Sequence, residues 1–226
     1  MKDLELELSQ RVAKLIQKER SFDPLLHQKL FHYGLQCETI TEFGVRWVES
    51  TFSFLHSKPK KLRSYDIIHP DTFKLLRPNG EIEHNGKENL SEAYRFADGL
   101  NIDFKLIIGN TLEVDIDQTD LLFIDTEHSF LQLKHELFRH NHKVNKFIVM
   151  HDTKTHAKAD DHGYNERNSL PEIDPGDHNK SGLDAAIKDF LSSTDSWEME
   201  EFVNAGQGLT IIKRIFKNRF SSHPNR

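Results

Sequence analysis

The sequence predicts a doubly wound α/β domain, and three observations carry that prediction. The central strand-like runs, DLLFID (120–125) and KFIVMHD (146–152) above all, are apolar throughout rather than alternating. That is the pattern of parallel strands covered on both faces. Helical segments separate the runs, so the order is strand, helix, strand. Each run also ends in a polar or acidic residue, which places those residues together at one edge of the sheet.

In chain order, Leu4, Leu8, Val12, Leu15 and Ile16 recur at helical spacing over 4–19, with charges on the other face. Ser21 and Asp23 before Pro24 mark a second helix start, running to about Leu35 with Gly34 near its end. These helices read as an N-terminal cap over residues 1–37. Strands follow at 38–45, 60–68, 103–109, 120–125 and 146–152, with helices at 50–57, 88–98 and 130–140 between them. A last helix covers 183–193. The runs 196–203 and 208–215 are joined by a short Asn-Ala-Gly-Gln-Gly turn, so they pair antiparallel. The main domain spans 38–216. Residues 153–182 are polar and rich in Gly, Pro, Asp and Asn, with no apolar period. A loop this long directly after a central strand reads as an active-site loop.

The chain has 226 residues, which suits one large domain with small additions. Its net charge of −6 implies no broad basic surface, so nucleic acid is not an expected partner. The basic residues of the C-terminal stretch read as a solvated tail over 217–226. Cys37 is the one cysteine, which rules out an internal disulfide and fits a reducing compartment. The first residues are charged, with no apolar leader, and no apolar run approaches the roughly 20 residues of a membrane span. The expectation is a cytoplasmic protein with no membrane partner, and a helix at 4–19 that leaves a homo-oligomer open.

In sheets of this kind, ligands bind beyond the carboxyl ends of the strands. Those ends read Glu42-Phe-Gly44, Asp66, Gly109-Asn110-Thr111, Asp125 with His128, and His151-Asp152. Gly44 lets a ligand approach the backbone. Asp66, some 20 residues on, suits ribose hydroxyls. Asp125 and Asp152 end neighbouring strands and repel unless a cation or a proton lies between them. A divalent ion such as Mg²⁺ answers that, and His151 as a nitrogen ligand would favour Mn²⁺, Fe²⁺ or Zn²⁺. His128 can take a proton from a hydroxyl held there. Plainer readings stand beside these: Asp125 as a helix cap, His128 as a loop residue, His151 as a hydrogen-bonded wall residue. Eight of the 14 histidines fall between 128 and 178, of which His135, His140 and His142 read as solvated.

Taken together, EFGVRWVEST, Asp66, DLLFIDTEHSF, KFIVMHDT and the closing GLTIIKR resemble the class I S-adenosylmethionine-dependent methyltransferases. The narrower likeness is to the cephalosporin-hydroxylase-like and macrolide-sugar O-methyltransferases, over about residues 38–215. The resemblance implies a Rossmann-like seven-stranded, mostly parallel sheet with the last strand antiparallel. It places Glu42 and Gly44 at the methionine end of S-adenosylmethionine, Asp66 at the ribose, and Asn110 and Thr111 at the adenine. Asp125 and Asp152 match metal-binding acids, His151 stands where many relatives have Glu, and His128 matches the general base. The implied metal is Mg²⁺ or Mn²⁺, and the implied acceptor is a sugar or glycan hydroxyl. The sequence departs from the family at its second glycine, near Val48 and Glu49. Two other readings remain: a metal-dependent hydrolase using the Asp125/Asp152 pair, and an inactive methyltransferase fold kept as a binding module.

Overall fold

The computed structural model describes residues 2–19, 23, 25–72, 74–76, 82–161 and 174–215. The basic tail, the middle of the predicted active-site loop, and Ser21 and Pro24 lie outside them. Among the described residues, seven strands form one sheet: β1 (Thr39–Phe43), β2 (Lys61–Asp66), β5 (Asp103–Ile108), β6 (Thr119–Ile124), β7 (Val144–His151), β8 (Trp197–Val203) and β9 (Leu209–Arg214). Their order is β5-β2-β1-β6-β7-β9-β8. All neighbours from β5 to β7 are parallel, and β9 runs antiparallel to both β7 and β8. The last strand is therefore the reversed one, as expected. A small antiparallel pair, β3 (Lys74–Leu76) and β4 (Ile82–Asn85), stands apart from the main sheet and was not expected.

Helices cover both faces, which explains the unbroken apolar runs. Along β6, Leu121 and Phe123 join one core while Leu122 and Ile124 join the other. The first core is filled by α1 (Lys2–Glu19), α2 (Leu26–Gly34), α3 (Glu49–His56) and α4 (Gly86–Gly99). The second is filled by α5 (Phe130–His140) and α6 (Leu183–Ser193). Helix α1 buries Leu8, Val12 and Leu15 in the same core as Phe52 and Phe96. Burying each aliphatic side chain contributes about 1.5–3 kcal/mol. Helices α1 and α2 thus pack in one layer with α3 and α4.

One expectation about the histidines is corrected. His140 is not solvated: it is 1% exposed, its Nε2 lies 2.7 Å from the Thr111 carbonyl oxygen, and its ring packs edge-on against Phe43. Burial pushes its pKa down.

Candidate active site

The chain leaves β1 for β2 on one side and returns to β6 on the other, so the strand order reverses between β1 and β6. A cavity of about 590 Å³ opens at the carboxyl edge of that junction. Its size falls within the range of small-molecule sites. Gly44, Asp66, Asn110, Thr111, Asp125, His128, His151 and Asp152 all line it. Eight of the nine residues singled out from the sequence therefore meet in one place.

Glu42 is the exception. It lies beneath the floor, fully buried, and takes hydrogen bonds from Ser50 (2.5 Å), Thr51 (2.8 Å) and Ser64 (2.5 Å) hydroxyls. Burial raises its carboxyl to about 7 against the lowering effect of those hydroxyls. Its evident work is to tie the start of α3 to β1 and β2.

The loop from β1 to α3 keeps a left-handed backbone at alternate residues: φ is +82° at Gly44, 40° at Arg46 and 66° at Val48. Of the two positions of the expected departure, Val48 and Glu49, Val48 takes the left-handed backbone, so the chain follows a glycine-type path there without a glycine. A β-branched residue at such a φ is strained, and complete burial of Val48 in the first core offsets that strain. The Asp66 carboxylate holds the loop in place, with Oδ2 accepting from Val45 N (2.8 Å) and Arg46 N (2.9 Å) and Oδ1 from Ile68 N (2.9 Å). A carboxylate has about four acceptor positions, so one remains for a ligand hydroxyl. Beside it, Ile67 is 64% exposed on the cavity wall.

At the other end, the ends of β6 and β7 meet. Asp125 does not cap α5; Ser129 does, with its side chain accepting from Gln132 N. Asp125 faces the histidines instead. His128 Nε2 lies 2.8 Å from Asp152 Oδ2 and 3.4 Å from Asp125 Oδ1. His151 Nδ1 lies 3.2 Å from Asp125 Oδ1 and 3.5 Å from Asp152 Oδ2. Burial opposes charge on both rings, but the carboxylates prevail: His128 is raised to about 10 and His151 well above its ordinary value. Asp125 is correspondingly held down by the two histidines against its own burial. The buried Oδ1 of Asp152 has no hydrogen-bond partner among the described residues. One ligand atom each from Asp125, His128 and Asp152 lies within 4.8 Å of the others. Hard oxygens, a nitrogen and an orphaned acceptor fit a divalent cation. His128 is therefore as close to both carboxylates as His151 is, rather than set to one side.

The described part of the predicted loop runs along this end. Asp161 lines the cavity, and its backbone N–H donates to the His128 carbonyl at 2.9 Å. The His156 ring stacks on His128 at 4.7 Å.

Three polar residues were missed in the sequence. Glu136 is fully buried on α5 and accepts from Thr111 (2.5 Å), Gln132 (2.8 Å) and Thr126 (2.9 Å). Burial raises it to about 7. Gln132 Nε2 also donates to Thr111 Oγ1 at 3.1 Å, and Gln132 lines the cavity. Asn110 spends its side chain on Leu112 N and Glu113. The signal for the first two was a stripe at i, i+4 and i+8, Gln132, Glu136 and His140, on the buried side of α5. The third, Asp23, gave no signal of its role at the site. It is 5% exposed and contacts His151 Nε2 at 2.6 Å.

No protein-family model matches the sequence, and no curated protein matches it. Solved structures match in fold. A Corynebacterium glutamicum protein aligns with TM-score 0.58 at 12% identity over 92% of this chain and 91% of its own. The O-methyltransferase TomG from Streptomyces achromogenes, in complex with S-adenosylmethionine, aligns with TM-score 0.53 at 11% identity over 90% and 89%. The S-adenosylhomocysteine-bound methyltransferase PaMTH1 of Podospora anserina aligns with TM-score 0.52 at 10% identity over 92% and 88%. The chain thus has the Rossmann-like fold of class I S-adenosylmethionine-dependent methyltransferases.

Proposed function

We propose that the protein is an S-adenosylmethionine-dependent O-methyltransferase, assisted by Mg²⁺ or Mn²⁺ and acting on a hydroxyl of a sugar or glycan. The observation that carries this reading is the joining of two subsites in one cavity. The Gly44–Asp66 end has the cradle and acceptor for a nucleoside, and the other end has His128 at 2.8 Å from Asp152. Gly44 also holds the two ends together, since a Cβ there would strike the Asp125 carbonyl oxygen at 1.9 Å. Solved structures of the same fold include one in complex with S-adenosylmethionine and one bound to S-adenosylhomocysteine.

The roles follow from position. Gly44 and the loop to Val48 would hold the methionine portion, Asp66 a ribose hydroxyl, and Gln132 with the 110–112 backbone the adenine. Asp125, Asp152 and His151 would hold the cation. When bound, S-adenosylmethionine supplies the methyl group on a sulfonium and the cation supplies Lewis acidity toward the acceptor oxygen. With the charges of Asp125 and Asp152 engaged by the cation, the pull that keeps a proton on His128 is relieved, and the neutral ring can take the proton from the acceptor hydroxyl. The cavity wall aligns acceptor and donor, and that positioning is the main contribution to rate. The sugar acceptor rests on the likeness of the Asp125-x-x-His128 and His151-Asp152 strand ends to sugar-modifying relatives. We read the protein as cytoplasmic, without nucleic acid or membrane partners.

Calorimetric titration with S-adenosylhomocysteine, with and without Mn²⁺, tests the first half. Transfer of a labelled methyl group to a panel of sugars tests the second. Micromolar binding and cation-dependent labelling are the expected results. No cofactor binding under any metal condition removes the methyltransferase reading.

A further inference from the structure

Asp23, in the short segment between α1 and α2, reaches the site from behind His151, while Leu26 and His27 line the cavity itself. The segment is anchored on its C-terminal side. Leu26 is buried in the first core, and His27 Nδ1 lies 2.8 Å from Ser53 Oγ on α3. Asp23 and His151 are both nearly inaccessible, at 5% and 8% exposure, and their Oδ2 and Nε2 atoms are 2.6 Å apart. The other Asp23 oxygen, Oδ1, is buried with no hydrogen-bond partner among the described residues.

A buried carboxylate with an unsatisfied oxygen is costly. A plain tether between α2 and the sheet would not need one. Its effect on His151 is specific. An imidazole has two nitrogens, and the hydrogen bond made by one decides what the other can do. With Nε2–H donated to Asp23, Nδ1 is the nitrogen turned to Asp125 Oδ1 (3.2 Å) and Asp152 Oδ2 (3.5 Å). A carboxylate behind a ligating histidine fixes its tautomer and ring angle and strengthens the facing nitrogen as a donor.

We propose that Asp23 is a positioning residue that sets His151 as a nitrogen ligand toward a divalent cation at the Asp125–Asp152 carboxylates, making the N-terminal segment part of the centre. This inference rests on the cation reading of that cluster.

The test is Mn²⁺ binding to the full chain, read from the electron paramagnetic resonance signal of free Mn²⁺. The variants are Asp23→Asn, His151→Ala and the double variant. Melting temperature and S-adenosylhomocysteine affinity are measured alongside. Asp23→Asn is expected to weaken Mn²⁺ binding by about 10- to 100-fold, while cofactor affinity stays at the wild-type value. In the His151→Ala background the same change is expected to add nothing, because there is no ring left to position. Asp23→Glu, which keeps the charge, is expected to retain most of the affinity and covers the case in which the Asn variant fails to fold. Equal Mn²⁺ affinity in wild type and both Asp23 variants overturns the proposal. So does an equal loss with and without His151, which would mark Asp23 as a distant charge only. Wild-type protein that binds S-adenosylhomocysteine but not Mn²⁺ overturns it together with the cation reading, while leaving the methyltransferase reading intact.

Discussion

Gly44 meets the backbone of Asp125 with no space between them: a Cβ on Gly44 would lie 1.9 Å from the Asp125 carbonyl oxygen and 3.3 Å from Thr126 N. The contact follows from register, since Phe43 pairs with Ile124 and the Asp125 N–H donates to the Phe43 carbonyl at 2.9 Å. The Gly44–Asp66 end and the acid–histidine end therefore share one piece of backbone. Gly44→Ala would have to move β1 away from β6, and would place alanine at φ +82°, where L residues are strained. The expected cost is about 3 kcal/mol or more, a fall of roughly 6–12 °C in melting temperature. Calorimetry should show S-adenosylhomocysteine binding lost with it. An alanine variant that melts and binds like wild type would mean the two strand ends are not in this contact.

His128 faces the two carboxylates rather than the Gly44–Asp66 end of the cavity. His128→Gln should therefore leave S-adenosylhomocysteine affinity within about threefold of wild type and lower methyl transfer by about 10²–10⁴. Labelled-methyl assays at saturating cofactor check the rate, and calorimetry checks the binding. A variant that keeps its full rate would take the base role away from His128.

Much of this was legible in the sequence because two-sided burial leaves a plain mark. Strands β6 and β7 read as apolar runs since alternate residues enter opposite cores. Their terminal acids stood out because nothing in a core calls for them. What stayed hidden depends on contacts between distant segments. Asp23 and His151 are 128 residues apart in the chain. Before the fold is known, an aspartate ahead of a proline reads only as a helix start. The β3–β4 pair was missed although Pro78-Asn79-Gly80, between its strands, is a turn signal; those three residues lie outside the described ones. Glu42 was placed correctly at a strand end but assigned to the ligand. Side-chain alternation turns it away from the cavity, toward Ser50, Thr51 and Ser64.

Glu42 and Glu136 make stability depend on pH in a direction opposite to the usual carboxylate. Burial lifts both to about 7 from an ordinary value of 4.5. Each therefore contributes stability that is fully present below pH 4.5 and lost as pH rises through 7. The full effect per group is on the order of 3 kcal/mol. Glu136→Gln keeps the shape and removes the ionisation. Urea unfolding at pH 5, 6.5 and 8 should show the variant losing less stability than wild type across that range. Parallel pH profiles for the two proteins would place the Glu136 proton elsewhere.

Gln132 offers the sharpest test of the proposed adenine subsite. Its amide orientation is set from behind: Nε2 donates to Glu136 Oε1 at 2.8 Å and to Thr111 Oγ1 at 3.1 Å. The Thr111 hydroxyl is itself spent on Glu136, and the Asn110 side chain on its own loop. With both Nε2 hydrogens engaged, Gln132 Oε1 is left as an acceptor on a residue that lines the cavity, and its match in a purine is the 6-amino group of adenine. A 6-keto purine presents an acceptor at that point and would set two oxygens against each other, which a buried site penalises strongly. Wild-type protein should bind S-adenosylhomocysteine at least about tenfold more tightly than its inosine counterpart. Gln132→Leu should shrink that ratio toward one, mainly by weakening the adenine form. Competition calorimetry with the two nucleosides reads the ratio directly. A ratio unchanged by the substitution would move recognition of the 6-position away from Gln132, to residues 110–112.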